Sequence, residues 1–318
     1  MAAAFAVAPS VNAPVEKHIT RPTKKQPRAL VENARKPERV KFDPKKHLRI
    51  VEPKNRIAMK DIGLEGAGIS PIAVTEPLSL FTEEAIEQMR AEIFSEAVLE
   101  NCQVASSFAA NMIRNYAGNP EVAAIVSKVA GVDLVPAMDI DMGHINVSVS
   151  TREAPACQPG ENVEGEKDEK PAFAWHRDSY PFVCVTMLSD CTGMVRGETA
   201  LRTGTGDILK VRGPSQALKA LGGRERISMV TSFRPKSAFM KDETVLTSLR
   251  GIADWDEMYY QYAEYRLQNL ADRFSETRKQ LLERQKTQPK FDVDQAREFL
   301  EEQKRYIDAM LTELIKDE

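Results

Sequence analysis

Between residues 132 and 235 the chain divides into short apolar runs separated by Gly, Pro and Asp, and this spacing constrains its fold more than any other feature. The runs cover 134–140, 144–149, 182–188, 198–201, 207–211 and 227–233. They are separated by turns, with no helical patterns between them. That is the mark of an antiparallel barrel or jelly roll, not of alternating βαβ units. The polar, charged stretch 153–170 reads as a surface loop.

Helical periodicity flanks this region. Thr82 can cap a helix whose first turn carries Glu83 and Glu84, and Ile86, Met89, Ile93 and Val98 continue its apolar face to about Asn101. Val122, Ile125 and Val129 predict a second helix over 120–129. Beyond Asp242 the spacing of Tyr259, Tyr262, Tyr265, Leu270 and Phe274 predicts a long helix over 255–285. Pro289 breaks it, and a further helix is expected over 292–316. A short link between two helices gives an αα-hairpin, packed on the barrel or on another subunit.

The first 60 residues hold fifteen Lys or Arg against five Asp or Glu, in a chain whose formal net charge is −3. Prolines at 9, 14, 22, 27, 37, 44 and 53 work against long helices here. Residues 1–70 are therefore expected to be a basic, largely disordered arm, 71–241 the β domain with its N-terminal helices, and 242–318 the helical hairpin. The overall charge balance gives no pull toward nucleic acid, and such a partner is disfavoured. Four scattered cysteines form no disulfide framework, which favours a reducing, cytoplasmic setting. No stretch has the length of a membrane span, so no membrane partner is expected. The apolar start lacks a charged leader, while the basic, acid-poor stretch after it leaves room for a transit peptide.

Two short patterns carry chemistry. In His176-Arg177-Asp178 the imidazole and carboxylate lie two residues apart just before an apolar strand, so both point to one side of an extended segment. Such a pair supplies two thirds of the 2-His-1-carboxylate triad of non-haem iron(II) enzymes. In Arg226-Ile227-Ser228, at the start of the last strand, a guanidinium fork and a hydroxyl form a natural grip on a small dicarboxylate.

The stretch from Trp175-His176-Arg177-Asp178 through Ser189-Asp190 resembles the metal-binding strand of a group of fungal iron(II)/2-oxoglutarate-dioxygenase-like proteins. So do Gly197-Glu198-Thr199-Ala200-Leu201 and the run from Glu225 to Pro235, and the similarity extends from about Ile69 to the C-terminal helices. It implies an α+β fold with a double-stranded β-helix (jelly-roll) core. It also implies iron(II) held by His176 and Asp178, and 2-oxoglutarate as cosubstrate held by Arg226 with Ser228 assisting. No catalytic residue is expected beyond the metal ligands. The activity implied is an oxidoreductase, a dioxygenase acting on a small organic substrate.

The chain departs from that family in one telling place. The segment ending Ala217-Leu218-Lys219-Ala220-Leu221-Gly222 should be preceded by a strand carrying the second metal histidine. Arg212-Gly213-Pro214 instead runs straight into Ser215, which falls roughly where the histidine belongs. A serine hydroxyl is a poor iron(II) ligand beside imidazole. The other histidines are His18 and His47 in the arm and His144 in a strand pattern, read as a core or pocket residue. A milder shortening falls near 115–120, and Arg196 replaces a family glycine. The alternative to an oxygenase is a non-catalytic barrel with a binding or scaffolding role.

Overall fold

The computed structural model describes residues 26–101, 118–149, 178–190, 199–211, 225–251, 253–287 and 290–316. Proline sets the first boundaries. Helix α1 (Arg28–Ala34) begins directly after Pro27, and α2 (Pro44–His47) carries Pro44 in its first turn, where a missing N–H costs nothing. Strands β1 (Leu48–Val51), β2 (Arg56–Ala58), β3 (Ile72–Thr75) and β4 (Ser79–Phe81) follow, paired antiparallel as β1 with β4 and β2 with β3. The part of the expected arm from Arg28 onward is therefore folded. Leu30 and Ala34 are buried in the core. His47 is fully buried, stacks on Phe42 and accepts the backbone N–H of Asp43 at its Nδ1 (2.9 Å). Pro27 and Pro44, two of the prolines that argued for open coil, delimit short elements instead.

Helix α3 (Glu83–Ile93) is capped by Thr82, whose hydroxyl accepts from the Ala85 N–H. The single helix expected to Asn101 is interrupted at Phe94 and resumes as α4 (Glu96–Asn101). Helix α5 (Pro120–Ala130) buries Val122, Ile125 and Val129, the face the sequence spacing predicts.

The main sheet is built around one strand. Strands β5 (Leu134–Pro136) and β6 (Met142–Val149) precede β7 (Phe182–Met187), the hairpin of β8 (Thr199–Arg202) and β9 (Ile208–Val211), and the eleven-residue β10 (Glu225–Pro235). All pairings of β10 are antiparallel: with β5 and β6 along one edge, and with β7 along the other. Between β5 and β6 the chain makes a 3-10 turn at Asp139–Asp141. Gly143, at φ +79°, takes up a bulge in the β6–β10 ladder that only glycine adopts without strain. The described strands form a mixed α+β structure of small antiparallel sheets, and no closed barrel is found among them.

Two cores flank the sheet. In the first, Ile227 and Met229 of β10 pack with Leu188 against α1, α3 and α5. The second joins Ala137, Ile140 and Tyr180 to Leu246 and to helices α6 (Trp255–Thr287) and α7 (Val293–Glu313), the expected C-terminal hairpin. Arginines bind that hairpin together. The Arg266 guanidinium sits 3.7 Å from the Tyr306 ring centroid, and Arg273 sits 4.3 Å from the same centroid on the ring. No helix among the described residues is long and apolar enough to cross a membrane.

Candidate functional site

Alternation along β10 sorts its side chains onto two faces. Ile227 and Met229 enter the first core, so Arg226, Ser228, Val230 and Ser232 share the opposite face. Directly opposed residues in an antiparallel pair lie on the same side of a sheet. Asn146 of β6 and Met187 of β7 therefore flank Ser228, while His144 and Val185 flank Val230. The result is a polar stripe of Arg226, Ser228, Asn146, His144 and Ser232 across the middle of the sheet.

Arg226 and Ser228 are buried, at 4% and 2% exposure. The strand beneath them is held from several directions. Arg90 of α3 donates to the Leu188 carbonyl (2.8 Å) and pairs with Glu225. The Ile227 N–H donates to the Ser189 hydroxyl (3.0 Å), and the Ile227 carbonyl accepts from the Leu188 N–H (2.8 Å). A buried guanidinium thus stands two residues from a buried hydroxyl, on a strand fixed at both edges, and both are donor types that a carboxylate takes.

The far end of β10 is acidic. Ser232 donates to Asp141, whose carboxyl is pushed up to about 6 by burial, with the Ser232 hydrogen bond opposing and the nearby negative charge of Asp178 adding. Asp178 itself is exposed, four residues ahead of Phe182, the β7 residue that pairs with Phe233. Tyr180 is buried beside Asp141, and burial first, then that acid, raises its hydroxyl far above the usual range. Burial lowers the pKa of His144 and so keeps its imidazole neutral.

The structure thus brings Arg226 and Ser228 together and sets Asp178 at the other end of β10. Ser232, which marks that end, is six residues from Arg226, or about 20 Å along an extended strand. His176 and Ser215 lie outside the described residues, as does the loop expected over 153–170. For a cosubstrate carboxylate the residue types fit: a buried guanidinium and a buried hydroxyl share one face of β10. For iron(II) the described donors fall short: no group of three or more His, Cys, Asp or Glu among the described residues is placed to hold a metal. Sequence reasoning missed Asp141 and Ser232. The one local hint was an acidic Asp139-Ile140-Asp141 turn just ahead of a strand.

Against known protein families, characterised proteins and solved structures, the chain matches none.

Proposed function

We propose that this chain is an iron(II)/2-oxoglutarate oxygenase-type protein with a jelly-roll core, in which Arg226 and Ser228 hold the 2-oxoglutarate carboxylate. The observation that carries this reading is the buried Arg226–Ser228 pair on the central strand of an antiparallel sheet. A guanidinium fork and a hydroxyl on one strand face are the donor types that take a small carboxylate. His176 and Asp178 are the assigned metal ligands, ahead of β7. When bound, the metal and cosubstrate supply oxygen activation and hydrogen abstraction from a small organic substrate. The protein's own residues contribute the grip at Arg226 and Ser228, which are buried, and a neutral His144 on the same face of the sheet.

A second reading is favoured by one specific observation, that Asp178 lies at the opposite end of β10 from Arg226, and it agrees with the family resemblance, which puts Ser215 roughly where a second metal histidine belongs. Under it the chain is a non-catalytic relative that keeps the carboxylate grip for binding alone.

Thermal melting of the purified chain with 2-oxoglutarate, with and without iron(II) or manganese(II), separates these. A ligand that binds the native state raises the melting temperature, and the more so the further its concentration exceeds its Kd. A rise with both, accompanied by succinate formation, supports the oxygenase. A rise with 2-oxoglutarate alone supports the binding protein. No shift with either rejects both.

A further inference from the structure

We infer that two copies of this chain associate through the outer face of the α6–α7 hairpin, each hairpin forming half of a four-helix bundle. The proposal is independent of the oxygenase reading. On α6, Tyr260, Leu267, Phe274 and Leu281 recur at seven-residue intervals and are 78%, 57%, 44% and 41% exposed. On α7, Val293, Leu300 and Ile307 recur at the same interval at 58%, 57% and 40% exposed, while Leu314, one interval further on, packs against the second core. A seven-residue apolar repeat keeps one stripe facing a helical neighbour along its whole length, and among the described residues only Phe274 of these stripes has an aromatic contact with the other helix, at Phe299.

Helix geometry puts both stripes on one side. Met258, Tyr262 and Tyr265 point α6 toward the second core, while Arg266, Asn269 and Arg273 reach Tyr306 and Gln303 of α7. Steps of 100° per residue then carry the α6 stripe to the side away from the sheet. The same construction on α7, run in the opposite chain direction, carries its stripe to that same outer side. The antiparallel register also levels them. Phe274 and Phe299 meet ring to ring at 5.5 Å, so Phe274 lies level with Leu300. By the same register Leu281 falls level with Val293, and Leu267 with Ile307.

Such a layered two-helix face is what one half of a four-helix bundle presents. Its best complement has the same layer spacing, and a second copy of the hairpin has it by symmetry. A lone amphipathic helix would fill only the groove between the stripes. The layers run 21 residues from Tyr260 to Leu281, about 32 Å of helix. With two helices spaced about 10 Å apart, the face covers roughly 600 Å² per copy, near the ~800 Å² per partner of stable interfaces. Ala263, Ala271 and Ala296 lie between the stripe residues and allow close approach.

The test is sedimentation equilibrium of the full chain at micromolar concentration, alongside the single variants Leu267→Glu and Leu300→Glu. The expected result is twice the 35.6 kDa chain mass for the parent. Each variant, altered at an exposed position, should weaken association at least tenfold with helical circular dichroism unchanged. Should a glutamate disturb the fold, Leu267→Ala with Leu300→Ala must still weaken association. A monomeric parent overturns the proposal. A dimer indifferent to all of these substitutions also overturns it.

Discussion

The Ser232 hydroxyl donates a 2.5 Å hydrogen bond to the Asp141 carboxylate where both side chains are buried. The bond favours the ionised acid, yet burial outweighs it and carries the carboxyl from 3.8 up to about 6. A folded pKa above the unfolded one means that the native state prefers the protonated acid. Stability from this group is complete below the unfolded value and is lost as pH rises through about 6. The loss amounts to about 3 kcal/mol at most. Asp141→Asn should remove this slope and leave the variant more stable than the parent above pH 6, by on the order of 1–3 kcal/mol. Urea midpoints measured across this range check it, and parallel curves for the two proteins would reject the assignment.

Arg226→Ala should weaken 2-oxoglutarate binding by roughly 10- to 100-fold, the worth of charge-assisted hydrogen bonds in a desolvated site. Arg226→Lys should fall between, since it keeps the charge and loses the fork. Calorimetric titration gives both constants. Equal affinity for all three proteins would move the carboxylate site elsewhere.

Glu313 ties the end of α7 to the segment after β10. Its carboxylate accepts from the Leu246 N–H (2.7 Å) and from Arg250 (2.6 Å), and it is buried. Glu313→Ala strands the Leu246 N–H and leaves Arg250 only the residue-313 backbone carbonyl (2.7 Å), and should cost about 3 kcal/mol. The melting temperature should drop, and amide exchange at Leu246 should speed up well beyond exchange in β10.

Cys184 faces the first core, and burial pushes its thiol up to about 11. At pH 8 only about one thiol in a thousand is ionised, so alkylation should be slow until the chain unfolds. Site-resolved mass spectrometry with and without urea tests this. Labelling of Cys184 at the unfolded rate in native buffer would contradict the burial.

What the sequence revealed was mostly local. Thr82 capping, the buried face of Val122, Ile125 and Val129, and the division of the hairpin between Thr287 and Val293 depend on residues within a few positions of one another, and each gives a recognisable spacing. Arg226 and Ser228 were legible for the same reason, since period-two alternation pairs them on one face. The partners of β10 were not legible, because Ser228 meets Asn146 and Met187 across gaps of 82 and 41 residues. His47 was misread as part of a solvated arm. Its burial depends on Phe42 and α3, and charge composition does not report that contact.

The placement of β10 also orders how the protein is made. Strands β5, β6 and β7 bond to β10 and not to one another, so their ladders stay open until residue 235 has left the ribosome. Strands β5, β6 and β7 then wait for the partner that the described ladders give them, the situation in which long-range sheets fold slowly and stick to other chains. Translation speed and chaperone supply over this interval should therefore govern the yield of soluble protein more than substitutions on the outer helices do.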